Sequence, residues 1–160
     1  MEDVTYAYSL RFPETPVFTQ EADYICNKEW VNSAGNYENI PLITKKTYHT
    51  GTKITTRCAF DHYGAPLILL VNELETDSYG VQRFGNYYEV VLYEGGINVW
   101  HMWKEGEAIT WKWLLEEQFP VSAGDIHTLS VSVGNGALQI QADNRTMAVT
   151  VMNWPTKIGF

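Results

Sequence analysis

Apolar and polar positions alternate along most of this chain, and over no long window do apolar residues recur at the three- and four-residue spacing of a helix face. The alternating runs predict strands over Val4 to Phe12, Asp23 to Cys26, Leu42 to Tyr48, Lys53 to Phe60, Pro66 to Leu74, Tyr87 to Tyr93, Ile97 to Trp103, Ile109 to Leu115, Ile126 to Val133, Ala137 to Ala142, Thr146 to Val151 and Lys157 to Phe160. Gly95-Gly96, Glu105-Gly106-Glu107, Gly134-Asn135-Gly136 and Asp143-Asn144 each separate two such runs with residues suited to tight hairpins. Many short strands joined by frequent turns imply an all-β sandwich or barrel. Glu73 to Asn86 is polar and glycine-containing enough to be expected as a long mobile loop. With no internal repeat, low-complexity tract or linker, residues 1–160 read as a single β-sandwich domain.

Side-chain parity then assigns faces. If Gly95-Gly96 is a two-residue turn, Glu94 pairs with Ile97, Leu92 with Val99, Val90 with His101 and Tyr88 with Trp103, which makes a dry face. The opposite face carries Tyr87, Glu89, Val91 and Tyr93 against Lys104, Met102, Trp100 and Asn98, too polar for packed interior. In the next hairpin a three-residue loop, Glu105 to Glu107, pairs Trp103 with Ile109, His101 with Trp111 and Val99 with Trp113. A two-residue turn would instead set Lys112 among Val99 and His101, so the longer loop is expected, with Trp111 and Trp113 inward. Tyr87, Glu89, Tyr93, Asn98, Trp100, Met102, Thr110 and Lys112 are then outward.

An outward tryptophan among hydrogen-bonding side chains suits a sugar, whose C–H face stacks on an aromatic plane while its hydroxyls need donors and acceptors around the rim. On this reading Trp100 is the platform, and Tyr87, Tyr93 and Met102 extend its apolar floor. Asn98 and Glu89 bond hydroxyls, and Lys112 bonds hydroxyls or an acidic sugar. Arg57 faces away from Ile54, Thr56 and Cys58 if Lys53 to Phe60 alternates, and adds a second cation. Outer-face aromatics also pack under loops or neighbouring strands, and the pattern weighs the two uses evenly.

Composition narrows the partners. Eleven Lys plus Arg against 19 Asp plus Glu give a net charge of -8, which repels phosphate backbones and anionic membrane surfaces and argues against nucleic acid. Six Trp, ten Tyr and six Phe need not all be core residues, since Trp and Tyr also favour wet surfaces. The longest apolar stretch, Ala65 to Val71, is far shorter than the roughly 20 residues that cross a bilayer, so no membrane span is expected. Met1-Glu2-Asp3 is acidic and no secretory signal is visible in this chain, although a module whose signal had been cut away would look the same. Cys26 and Cys58 fall in separate predicted strands outside any Cys-x-x-Cys pair, and buried free thiols are favoured over a disulfide.

The strongest catalytic candidates are Glu73, Glu75 and Asp77, alternate carboxylates that a continuing strand would point to one face about 6 to 7 Å apart. Paired carboxylates hydrolyse glycosides, but solvated loop carboxylates present the same pattern. His49, His62, His101 and His127 make no His-x-His or His-Glu-x-x-His spacing, and His101 and His127 fall inward, where a hydrogen-bonded structural histidine is the default. Asp61, Asp77 and Asp143 are candidate oxygen ligands for calcium but form no clustered loop, so no metal ligand and no cofactor is assigned. No Gly-x-Ser-x-Gly elbow or phosphate loop occurs, and Asn144-Arg145-Thr146, a glycosylation triplet, sits in a predicted tight turn and is read as incidental.

The stretch Asn86-Tyr87-Tyr88-Glu89-Val90-Val91-Leu92-Tyr93-Glu94-Gly95-Gly96, with Asp125-Ile126-His127-Thr128-Leu129-Ser130-Val131 and the closing Lys157-Ile158-Gly159-Phe160, resembles the concanavalin A-like, laminin-G-like jelly-roll superfamily. The resemblance covers roughly the second half of the chain. It implies two antiparallel sheets, glycan contacts on the concave sheet or at loop edges, and often a structural calcium ion. The same sandwich serves lectins, carbohydrate-binding modules, glycoside hydrolases and polysaccharide lyases. Family-sixteen-type glucanases carry Glu-x-Asp-x-x-Glu, from which Glu73-x-Glu75-x-Asp77 departs. The expectation is a noncatalytic carbohydrate-binding module that takes a polysaccharide or oligosaccharide. It would be extracellular or at the cell surface, beside other modules of a larger secreted polypeptide. A hydrolase or lyase of the same fold using Glu73, Glu75 or Asp77 is the first alternative, and a protein-binding laminin-G-like adhesion domain the second.

Overall fold

A computed structural model of the chain describes residues 4–6, 18–20, 25–27, 32–33, 36–37, 42–44, 48–60, 64–76, 82–106, 108–134, 136–151 and 157–159. Among them there is no helix, and the strands in chain order are β1 (Val4–Tyr6), β2 (Phe18–Gln20), β3 (Ile25–Asn27), β4 (Asn32–Ser33), β5 (Asn36–Tyr37), β6 (Leu42–Thr44), β7 (Lys53–Cys58), β8 (Leu67–Thr76), β9 (Gln82–Tyr93), β10 (Gly96–Glu105), β11 (Ala108–Gln118), β12 (His127–Gly134), β13 (Ala137–Ala142), β14 (Arg145–Thr150) and β15 (Lys157–Gly159). A seven-stranded sheet runs β1-β6-β15-β8-β9-β10-β11 and a four-stranded sheet β14-β13-β12-β7, while β2-β3 and β4-β5 are separate pairs. Every pairing is antiparallel.

Alternation builds the core. Ile68, Leu70, Tyr88, Val90, Leu92, Ile97 and Val99 of the larger sheet meet Leu129, Val131, Val133, Leu138, Ile140, Met147 and Val149 of the smaller in one buried cluster. Inward side chains from two facing sheets interdigitate in this way in an aligned sandwich. The chain is therefore a two-sheet antiparallel β-sandwich of jelly-roll type, the fold class the strand pattern predicts.

Two local expectations change. The stretch Glu73 to Asn86 is mostly ladder rather than loop, because β8 continues to Thr76, β9 begins at Gln82, and Leu74 pairs with Phe84 and Glu75 with Arg83. Polar side chains are no obstacle to a strand whose outer face meets water. The very short β2, β4 and β5 carry too few residues for a readable alternation, whereas residues 7–12 of the first predicted strand lie outside the described ones.

A histidine ties β12 to the turn after β13. His127 Nδ1 lies 2.9 Å from Asp143 Oδ2 and Nε2 lies 2.8 Å from the Ser122 carbonyl, while the Thr128 amide donates to Asp143 Oδ1 at 2.8 Å. Both ring nitrogens face acceptors, so only the imidazolium can donate to both. The Ser122 carbonyl, the Asp143 carboxylate and the Asp125 charge raise the His127 pKa against the opposing effect of burial. Partial burial pushes the Asp143 carboxyl upward, but the Thr128 amide and His127 outweigh it and hold that carboxyl below its ordinary value. The histidine contribution is complete below about pH 6.5 and is lost as pH rises through the raised folded value; the aspartate contribution is complete above about pH 4 and is lost as pH falls through the lowered one. Melting temperature should therefore peak between these limits, and His127→Gln should flatten its decline above neutrality. Parallel profiles for the two proteins would remove the clasp from the account. Beside it Cys58 is a free thiol, pushed up to about 11 by burial and then by Asp143.

Candidate binding face

Two hairpins set the outer face of the larger sheet. Tyr93 pairs with Gly96, so the first turn is Glu94-Gly95, one step from the expected Gly95-Gly96. A turn of the same length preserves parity, and Tyr88, Val90, Leu92, Ile97 and Val99 are inward as predicted. The second hairpin departs from expectation. Glu105 pairs with Ala108, which leaves two residues between them rather than three, so Trp111 faces Met102 and Trp113 faces Trp100 on the outer side. Trp111 is 60% exposed and Trp113 46%.

Lys112 and Thr110 are corrected by the same shift. They pair with His101 and Trp103 on the inner face, not beside Trp100. Lys112 nevertheless stays in solvent, because this end of the ribbon is incompletely covered and His101 and Trp103 are themselves only half-buried. Closer to the core a register irregularity falls between Val99 and Trp100: Leu115 pairs with Val99 while Trp113 pairs with Trp100, leaving Leu114 as an extra residue. This bulge lets Leu114 and Leu115 both pack on the core while Trp113 stays outward.

The three tryptophans form one cluster. Trp100 and Trp113 stack with centroids 5.3 Å apart and planes 7° from parallel, and Trp111 meets Trp100 edge-on at 5.3 Å and 74°. Trp113 Nε1 donates to the Leu115 carbonyl at 2.9 Å, which fixes its indole. Trp100 is half-buried between its partners, so the open ring surfaces belong to Trp111 and Trp113. At one margin Tyr93 donates to Glu116 Oε1 at 3.5 Å and Gln118 Nε2 donates to the same oxygen at 3.1 Å. Asn98 Oδ1 is buried there without a hydrogen-bond partner among the described residues.

Towards β8 the outer face dries out. Tyr87 and Glu89, expected at the surface, are 9% and 8% exposed, and Tyr87 joins Leu69 and Val71 in a second buried cluster with Leu67, Phe84 and Met102 against it. Burial, then the Glu89 carboxylate, raises the Tyr87 phenol well above its ordinary value. The signal was present in the continuous run Leu67 to Val71, since a strand apolar at every position is buried on both sides. Arg57 is exposed and faces outward as alternation predicts, but β7 belongs to the four-stranded sheet and puts it on the far side from the tryptophans.

Glu73 and Glu75 come together on the tryptophan side. A Cβ at Gly85 would lie 3.1 Å from Glu73 Oε2 and 3.3 Å from Glu75 Oε1, so the glycine leaves room for both carboxylates. Lys104 Nζ holds Glu75 Oε2 at 3.0 Å. Asp77, Asp61 and His62 lie outside the described residues, His49 is exposed, and Asp143 is engaged by His127 and Thr128. Among the described residues no three His, Cys, Asp or Glu side chains group to hold a metal.

No family model matches the chain, and no curated protein does. Among solved structures it is similar to the carbohydrate binding module CBM66 from Bacillus subtilis, at 11% identity over 76% of this chain and 73% of that one, with a TM-score of 0.53. It is also similar to LamAcat from Zobellia galactanivorans, at 13% identity over 76% of this chain and 58% of that one, with a TM-score of 0.46. At 11% identity the first likeness is one of fold, and it agrees with the jelly-roll sandwich built above.

Proposed function

We propose that this domain is a noncatalytic carbohydrate-binding module that takes a polysaccharide or oligosaccharide on the outer face of β10 and β11. The observation that carries the reading is the contact cluster of Trp100, Trp111 and Trp113, with two open rings beside hydrogen-bonding groups on Tyr93, Asn98 and Glu116. Trp100 backs the platform rather than forming it, and Met102 fills its floor. The rings touch instead of lining up along the sheet, so they offer stacking surface for one or two sugar rings rather than a long flat chain. The Bacillus subtilis structure that shares the fold is itself named a carbohydrate binding module, in agreement with this reading. Such a module works outside the cell, beside the other modules of a larger polypeptide. Affinity electrophoresis through gels cast with soluble polysaccharides tests it: retardation by at least one glycan is expected, and unretarded migration through all of them would sink it.

A glycoside hydrolase is the second reading, favoured by the convergence of Glu73 and Glu75 over Gly85 on the tryptophan side. It predicts release of reducing sugar from a polysaccharide the domain binds, abolished by Glu73→Gln. A wild-type protein that binds without releasing sugar removes this reading and leaves the first.

A further inference from the structure

The inner face of the same ribbon carries a second aromatic group unused by the platform. Asn86 pairs with Trp103, Tyr88 with His101, His101 with Lys112 and Trp103 with Thr110, so these side chains form one continuous patch running from the core towards the hairpin tip. His101 stacks on buried Tyr88 with centroids 4.5 Å apart and planes at 15°, and it also contacts Trp103 at 4.9 Å and 36°. Its Nε2 is 3.0 Å from Asn86 Oδ1, an acceptor, so this nitrogen carries the proton and the neutral ring keeps Nδ1 as a lone pair.

The patch carries one cation. Lys112 is exposed and enters no ion pair among the described residues, whereas Lys104 on the other face is taken by Glu75. The acid at the same end, Glu105, is engaged by Thr110, which donates to its Oε2 at 3.3 Å, and it forms no ion pair with Lys112. Burial and the Lys112 charge hold the His101 ring below the ordinary imidazole value, the response of a base in a positive field.

We propose that Trp103, His101 and Lys112 form a second glycan site, distinct from the tryptophan platform, that takes a carboxylate-bearing sugar. The half-exposed Trp103 ring receives the C–H face of a uronate residue, the Lys112 ammonium pairs with its carboxylate, and His101 is held in place by Tyr88 and Asn86 as the wall between them. The cation selects the acidic sugar, since a neutral ring would stack on Trp103 without using it. The site stands on the inner face alone and does not depend on the outer platform.

The test is calorimetric titration of the full chain with oligogalacturonate, and in parallel with a neutral glycan found by the gel screen. Lys112→Gln at an exposed position leaves the fold intact and should weaken oligogalacturonate binding at least tenfold while leaving the neutral glycan unchanged. Lys112→Arg should restore most of it, and raising salt should weaken the wild type but not Lys112→Gln. Trp113→Ala should do the reverse, sparing oligogalacturonate and losing the neutral glycan. Absence of oligogalacturonate binding, or binding that survives Lys112→Gln, overturns the second site. Loss of oligogalacturonate binding in Trp113→Ala alone also overturns it, because the acid would then occupy the outer face. If oligogalacturonate binds through Lys112 and no neutral glycan binds, it is the platform that fails and this site that stands.

Discussion

Replacing Trp111 and Trp113 together by alanine is expected to abolish binding of a neutral glycan at the outer face without unfolding the protein. Both rings are about half exposed or more, so little core is lost with them. Removing an aromatic anchor at a binding centre costs on the order of 2 kcal/mol, roughly thirtyfold in affinity for each ring. The two losses should not simply add, because both rings contact Trp100. Trp113 is the more informative single substitution. Its indole is fixed twice, by stacking on Trp100 and by donation to the Leu115 carbonyl, so a ligand meets a ring already in place. Trp100→Ala should weaken binding less than Trp113→Ala, through a ring left free to move rather than a contact removed. Isothermal titration of each variant with the neutral glycan, alongside circular dichroism, separates these effects, and a double variant that binds that glycan as the wild type does would refute the platform.

The largest loss of stability is expected at Gly96. It is buried with φ of +134°, and a Cβ there would overlap the Glu117 carbonyl oxygen and come within 3.0 Å of the Phe119 amide nitrogen. These are backbone atoms, fixed because Gly96 pairs with Gln118 and because the Phe119 amide donates to the Gly95 carbonyl at 3.0 Å. Neither strand can yield without breaking the ladder. Gly96→Ala should therefore cost about 3 kcal/mol or more, strain and overpacking together. Gly134 has open space around its Cβ position and no positive φ, and Gly134→Ala should stay within about 1 kcal/mol. Urea denaturation compares the two, and equal midpoints would show that the close approach at Gly96 is not what holds this corner.

Parity was the legible part of the fold. From Tyr88 to Val99 the period of two separates dry from wet positions, and a displaced turn of equal length leaves that separation intact. The tryptophans were assigned to the wrong side for a physical reason. Keeping Lys112 off the dry face requires a longer loop only if the inner face is dry along its whole length, and it is not. A bulge at Leu114 then switches parity partway along β11, so Trp113 points out and both leucines after it point in. Nothing in one sequence marks where such an extra residue sits. The burial of Tyr87 and Glu89, by contrast, was readable from the unbroken apolar run of β8, whose residues Leu69 and Val71 are their direct partners. Arg57 pointed the right way from the wrong sheet, because alternation orients a side chain without saying which layer its strand joins.

The bulge also bears on how copies of the molecule behave towards one another. Among the described residues β11 is the last strand of its sheet, so one side of it presents amides and carbonyls to no neighbouring strand, next to Ile109, Trp111 and Trp113. A straight border of that kind invites another chain to add on and seeds aggregation. An inserted residue sharpens the local twist, so two such borders cannot lie flush over their length. The aromatic rim can then stay uncovered, open to the glycan proposed for it.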